Sequence, residues 1–373
     1  MLGLFLLLPV LAIYARGLPD YSPELLGLAM GAYGLAQAAL QIPFGRWSDR
    51  YGRKPLITVG LVLYAAGSLL GAMAHTVTGL LVARLVQGAG AVSASVTALL
   101  ADLTRAEVRT RAMAFVGVSI GVSFIAALVL APVLDTLVGV PGIFLIMLAM
   151  ALGGLALLFL AVPAEPGRGS GSDSRNASAL VSLLVRPELL PLYAGVFALH
   201  FIMTATFLGL PQVLVSDLGL PVSRHWTVYL GVFVASLAGT VPLVLATERD
   251  GSGHWLFVAS VLVAACAQAL LGLGHRSLWG VLAALTLFFA AFNYLEARLP
   301  ALITQSVPGS DRGAALGIFA TSQFLGAFLG GALGGLLLGR FGVSGVFWGT
   351  AAAGFAWAAG AAGARAPFLH GPR

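Results

Sequence analysis

The sequence has 373 residues, of which 59% are hydrophobic and only 9% are charged. A soluble domain of this length needs more charge to cover its surface, so the composition excludes a soluble globular protein. The net charge of +6, from 20 basic and 14 acidic residues, would suggest nucleic-acid binding in a soluble chain, but membrane topology explains it better here. The single cysteine, Cys266, excludes a disulfide framework and a cysteine metal cluster, and we expect no cleavable signal peptide.

Runs of about 20 apolar residues recur along the chain, and each is long enough to cross a bilayer of about 30 Å as a helix. We predict twelve such spans, of which the first is short for a full crossing. They cover 1–17, 24–45, 55–74, 78–101, 111–134, 141–163, 187–211, 224–247, 254–273, 277–301, 312–338 and 342–363. The sequence therefore predicts an all-α integral membrane protein.

The basic residues are distributed unevenly between the predicted loops. With the amino terminus inside, fifteen basic residues fall on the cytoplasmic side, four on the outside, and Arg84 lies within a span. Cytoplasmic loops of membrane proteins carry such an excess of Lys and Arg. The pattern predicts that both termini are cytoplasmic, and we expect the chain in the cytoplasmic (inner) membrane of a bacterium.

One long polar stretch, "PAEPGRGSGSDSRNAS" at 163–178, separates six predicted spans from the other six. We therefore predict a six-helix bundle at 1–163, a cytoplasmic linker at 164–186 and a second six-helix bundle at 187–373. A six-plus-six chain with internal repeats is typical of secondary transporters.

Two motifs carry a family resemblance. The charged turn between spans 2 and 3, "GRWSDRYGRKP", resembles motif A of the major facilitator superfamily, and "RLVQGAGA" (84–91) in span 4 resembles its motif B. The whole chain resembles the YajR-like branch of proton-linked drug antiporters. The resemblance implies two pseudo-symmetric six-helix bundles that work by alternating access.

The resemblance also implies roles for the charged turn. Asp49 would sit against the positive end of span 11, near Gly313, and Arg53 would pair with Asp102, so that the turn acts as a latch between two states. Gly45 and Gly52 would allow close backbone approach and a tight turn. Lys54, Arg46 and Arg50 have an alternative interpretation as topology-setting charges near lipid headgroups.

Three ionisable residues lie within predicted spans: Arg84, His200 and Glu296. Such residues cost several kcal/mol unless they face a cavity or a partner. We predict that Glu296 is the main proton carrier, that His200 assists it or contacts the substrate, and that Arg84 belongs to the same proton-coupling group. The alternatives are an ion pair of Glu296 with Arg298 or a position at the cytoplasmic rim, a neutral hydrogen-bonded His200, and a structural Arg84.

Further polar residues are candidates for lining a substrate cavity: Tyr33, Gln37, Gln41 and Asn293. Asn293 precedes Glu296 by three residues, so the two are expected to share a helix face. The glutamines have an alternative role as hydrogen-bonding groups between helices.

The function expected from these features is proton-coupled export (antiport) of amphipathic small molecules. The alternatives are a facilitator or proton symporter of a polar solute such as a sugar, and a non-transporting receptor or scaffold. We expect no enzymatic activity, cofactor, metal or nucleic-acid partner. The expected energy source is a proton gradient, and the expected partners are lipids, protons and a small-molecule substrate around a monomer.

Overall fold

The computed structural model describes residues 2–163, 177–249, 253–309 and 311–363, and these form an all-α structure. The helices of the first half are α1 (Leu2–Phe5), α2 (Leu11–Ala15), α3 (Pro23–Tyr51), α4 (Arg53–Ala72), α5 (Val77–Ala89), α6 (Ser93–Leu103) and α7 (Ala106–Leu160). Those of the second half are α8 (Ala177–Leu184), α9 (Leu190–Gln212), α10 (His225–Arg249), α11 (Gly253–Gly274), α12 (Leu278–Ser306) and α13 (Arg312–Gly363).

Nine helical segments of the described residues are long and apolar enough to cross a membrane. Two of them, α7 and α13, are interrupted by a glycine with non-helical dihedral angles, Gly139 and Gly342. Each of these two helices therefore supplies two of the predicted spans. The first predicted span is divided into α1 and α2, with Pro9, which has no backbone N–H, between them.

The two interruptions share a sequence. Gly139 begins "GVPG" and Gly342 begins "GVSG", and their φ angles are 67° and 66°. A positive φ strains residues that carry a Cβ atom, so glycine at these positions lets the chain turn back between paired spans. The two halves thus repeat the same device at corresponding places.

The charged turn, residues 44–55, lies at one end of the bundle, which we call the charged end. The other end, which holds residues 16–22 and 213–224, is called the opposite end. Towards the opposite end α3 packs closely on α13: a Cβ atom built on Gly31 would lie 2.6 Å from the Phe328 carbonyl oxygen. Arg16 also donates to the Ser216 hydroxyl across 3.4 Å. The two halves are therefore in contact at the opposite end.

Part of the predicted linker is helical. Residues 164–176 lie outside the described residues, but 177–184, which we assigned to the linker, form α8. Leu183 of this helix is buried in the main hydrophobic core. The polar linker is thus shorter than the sequence indicated.

Asp20, in the loop before α3, bonds to the start of α5 at the opposite end. The Asp20 carboxylate accepts hydrogen bonds from the backbone N–H groups of Val77 (2.6 Å) and Thr78 (2.9 Å) and from the Thr78 hydroxyl (2.7 Å). Desolvation acts to raise the pKa of the Asp20 carboxyl, but the hydrogen bonds from Thr78 and Val77 outweigh it and hold the pKa below its ordinary value of 3.8. The charged carboxylate caps the start of α5 and favours the folded state.

Asp20→Asn is expected to lower the melting temperature of the purified protein at neutral pH. Because the folded-state pKa is lowered, the stabilisation is complete above pH 3.8 and is lost as the pH falls through the folded-state value. The difference in melting temperature between wild type and variant should therefore become smaller in strong acid. Melting curves in detergent at several pH values measure this, and a pH-independent difference would contradict it.

Candidate functional site

A central cavity of about 760 Å³ lies between the two halves and extends to the charged end. Helices from both halves line it, and most of its wall is apolar, with Phe5, Met30, Met203 and Phe324 among the lining residues. The exposed Arg46 and Asp49 stand at its margin on the charged end. A chamber of this size can hold a drug-sized molecule.

Glu296 of α12 lies in this cavity with two partners. The His200 Nε2 atom of α9 is 3.7 Å from Glu296 Oε2. Gln323 of α13 places its amide nitrogen 2.7 Å from His200 Nε2 and 3.5 Å from Glu296 Oε1. His200 Nδ1 is 3.2 Å from the Val196 carbonyl oxygen, an arrangement that suits a neutral ring with its proton on Nδ1. The structure therefore joins three helices of the second half through one carboxylate.

The surroundings of Glu296 leave room for a further ligand. Its Oε2 atom is buried and has no hydrogen-bond partner in the described structure. Among the described residues no ion pair joins Glu296 to Arg298, the alternative partner considered above, and Arg298 Nε is likewise unpartnered. A buried, unsatisfied carboxylate oxygen is a suitable place for a proton or a cationic group.

Arg84 of α5 lies in the part of the cavity wall that the first half forms, and only 3% of its surface is exposed. It donates to the Gln87 side chain over 3.0 Å, and its guanidinium carbon is 4.7 Å from the centre of the Tyr33 ring. Gln87 in turn donates to Ser68 over 2.9 Å. No carboxylate pairs with Arg84 within the part of the chain that the structure describes, and its Nε atom has no partner.

The four polar cavity candidates have different positions. Tyr33 and Gln41 line the cavity, and Gln41 also donates to Ser93 over 3.2 Å. Gln37 is buried and donates to the Tyr33 hydroxyl over 2.8 Å. Asn293 instead donates to Ser236 of α10 over 3.3 Å, so it does not share the environment of Glu296. The prediction that Asn293 lines the cavity is therefore wrong: it is absent from the cavity wall, which does include Glu296.

The charged turn is a compact network. Arg53 donates to Asp102 over 3.0 Å, as the resemblance implied, and also contacts Asp49. Lys54 donates to the Val162 carbonyl oxygen over 2.6 Å. Gly52 has a φ of 112°, which permits the turn between α3 and α4.

The expected contact of Asp49 with the start of α13 is open in this conformation. Asp49 and Gly313 both line the cavity, but a Cβ atom built on Gly313 or on Gly45 would have no atom within 4 Å. The Asp49 side chain is 45% exposed. The two halves are thus apart at the charged end and in contact at the opposite end.

Gln323 is the site residue that sequence analysis missed. It lies in "TSQFLGAFLGG", a segment whose glycines indicate helix packing rather than chemistry. The signal available was an amide in an otherwise apolar and small-residue span, where a polar side chain needs a partner.

The comparisons with known proteins agree with this architecture. The family model described as "Major Facilitator Superfamily" matches residues 1–248. The chain belongs to the major facilitator superfamily. It is also 40% identical over 355 residues to the inner membrane transport protein YajR of Escherichia coli (strain K12), covering 93% of this chain and 76% of that protein.

More distant relatives are named for different functions. The multidrug resistance protein MdtL of Vibrio parahaemolyticus is 26% identical over 292 residues, covering 73% of this chain and 71% of that one. The crystal structure of a D-xylose-proton symporter superposes with a TM-score of 0.75 at 19% identity, covering 100% of this chain and 97% of the other. The chain is a multi-pass membrane transporter and not an enzyme. Its likeness to YajR, together with its apolar helices, supports a place in the inner membrane.

Proposed function

We propose that this transporter exports amphipathic small molecules in exchange for protons, and that Glu296 carries the proton. The observation that supports the proposal is a polar cluster in the wall of the cavity between the two halves. In it the Glu296 carboxylate contacts His200 and Gln323. A carboxylate there can hold a proton or a substrate group, but not both at once.

The apolar wall favours amphipathic molecules over sugars. A site for a polar solute needs many hydrogen-bonding groups, because each unpaired polar group of the solute costs free energy. Polar side chains are a minority of those that line this cavity, and several of them already bond to one another, as Gln41 does with Ser93. Apolar side chains such as Phe5, Met30 and Phe324 form much of the remainder.

The packing of the two ends supports alternating access. The opposite end is closed by the α3–α13 contact, whereas the halves are apart at the charged end. With the charged end cytoplasmic, as the basic residues predict, this conformation faces inward. The outward-facing state would bring Asp49 to the start of α13, where the helix carries partial positive charge.

Transport in everted membrane vesicles tests the proposal. Rhodamine B, a fluorescent amphipathic dye, should accumulate in vesicles that hold the protein and have an acidic interior. Accumulation should stop when a protonophore removes the gradient, and vesicles without the protein provide the background. Gradient-independent accumulation, or accumulation equal to the background, would contradict proton-coupled export of this class of molecule.

A further inference from the structure

In the same cavity, two buried polar atoms from side chains of opposite charge find no hydrogen-bond partner among the described residues. One is Nε of Arg84, in the wall formed by the first half, and the other is Oε2 of Glu296, in the wall formed by the second half. Buried polar atoms are nearly always hydrogen-bonded, and an exception in a cavity wall indicates a place for a ligand group.

Arg84 is the stronger of the two indications. Only 3% of Arg84 is exposed, and no carboxylate of the described structure pairs with it. Its contacts with Gln87 and with the Tyr33 ring are to neutral groups, so its charge is not balanced. A buried cation without a counter-charge is costly, and an anionic group delivered by a ligand would offset that cost.

The other charged groups of the cavity do not balance Arg84. Arg46, Asp49 and Arg53 lie at the charged end, where Arg53 pairs with Asp49 and Asp102. Glu296 faces His200 of α9, 3.7 Å from its Oε2 atom, and Gln323 of α13; within the described structure Oε2 accepts no hydrogen bond.

We infer that the substrates are zwitterionic amphiphiles, whose anionic group binds Arg84 and whose cationic group binds the Glu296 carboxylate. This inference deepens the proposed function and rests on it only for the coupling step. A ligand cation takes the place of the proton on Glu296, so binding releases a proton to solution. A ligand with an anionic group alone would instead favour protonation of Glu296 and could not drive exchange.

The test uses rigid ligands of matched shape on the full-length protein in detergent. 4-(Aminomethyl)benzoate and its longer biphenyl homologue, 4′-(aminomethyl)biphenyl-4-carboxylate, carry a carboxylate and an ammonium group at opposite ends. The matched controls replace the carboxylate by a carboxamide, or the ammonium by its N-acetyl derivative. Isothermal titration calorimetry near pH 6 gives the affinities, and a pH electrode in weakly buffered solution gives the protons released.

At least one zwitterion should bind at least tenfold more tightly than both of its controls, because each control loses one of the two charge-assisted contacts. Its binding should release protons from wild type and none from Glu296→Gln. Arg84→Gln should lower the affinity for the zwitterion at least tenfold. Arg84→Lys, which keeps the charge, should lower that affinity less. Arg276→Gln, which removes an exposed arginine that does not line the cavity, serves as the matched control and should leave the affinity unchanged.

The comparison of ligands on wild type needs no variant, so it stands even if Arg84→Gln fails to fold. Controls that bind as well as the zwitterions, no binding of either zwitterion, or full affinity in Arg84→Gln would each overturn the inference. Gradient-driven rhodamine B transport without this binding pattern would leave the proposed function standing and remove the inference alone. The binding pattern without gradient-driven transport would remove the proposed function and keep the ligand class.

Discussion

Glu296→Gln is expected to reduce gradient-driven rhodamine B accumulation more than tenfold, to the background of vesicles without the protein. Glutamine keeps the size and hydrogen-bonding capacity of the side chain but cannot bind and release a proton. The substitution should leave the cavity and both conformations intact. The variant should therefore still let the dye equilibrate across the membrane without a gradient. Initial rates of dye entry with and without an acidic interior separate the two activities.

The matched control is Glu188→Gln, which removes an exposed carboxylate that pairs with Arg186 outside the cavity. Exposed ion pairs contribute little, so this variant should accumulate the dye as wild type does. His200→Gln should lose part of the gradient-driven rate, because the His200 Nε2 atom lies 3.7 Å from Glu296 Oε2. Wild-type accumulation by Glu296→Gln would show that the proton is carried elsewhere.

Gly31→Ala is expected to shift the equilibrium between the two conformations. The new methyl group would lie 2.6 Å from the Phe328 carbonyl oxygen, far inside ordinary contact distance, so α3 and α13 would have to separate. Overpacking of this kind costs about 1–3 kcal/mol, which corresponds to about a 5- to 150-fold shift between conformations. The closed opposite end should therefore open, and the transport rate should fall.

Gly117→Ala is the control for this substitution. Gly117 lies in the same kind of apolar helix, but a Cβ atom built there would have no atom within 4 Å. Alanine also favours a helix more than glycine does, so the control should be neutral or slightly stabilising. Equal transport rates and equal conformational distributions in the two variants would show that close α3–α13 contact is not needed.

The sequence predicts most of the fold because apolar length and charge placement carry that information directly. The spans around Arg84 and Glu296 lie within helices as predicted, and the Arg53–Asp102 pair was implied by the family motif. The twelve-span count fits the family fold. The described residues contain nine long apolar segments, one of them α5 and α6 together, and α7 and α13 each contain a glycine break.

The finer features of the site depend on packing that the sequence does not display. Asn293 and Glu296 are three residues apart, yet Asn293 turns to Ser236 because α10 packs beside α12 there. Gln323 belongs to another helix than Glu296, so only the close packing of α13 brings them together. Likewise, helical propensity cannot reveal that Arg84 lacks a carboxylate, since ion pairs between helices depend on their rotation.

Double electron–electron resonance measures the central claim, alternating access, most directly. In a Cys266→Ser background, one spin-label pair at Tyr51 and Gln305 reports on the charged end, and a second at Gly17 and Ser223 reports on the opposite end. Acidification or addition of the zwitterionic ligand should change the two distances in opposite directions, with the charged end shortening as the opposite end lengthens. Distances that stay fixed, or that lengthen and shorten together, would contradict alternating access in this protein.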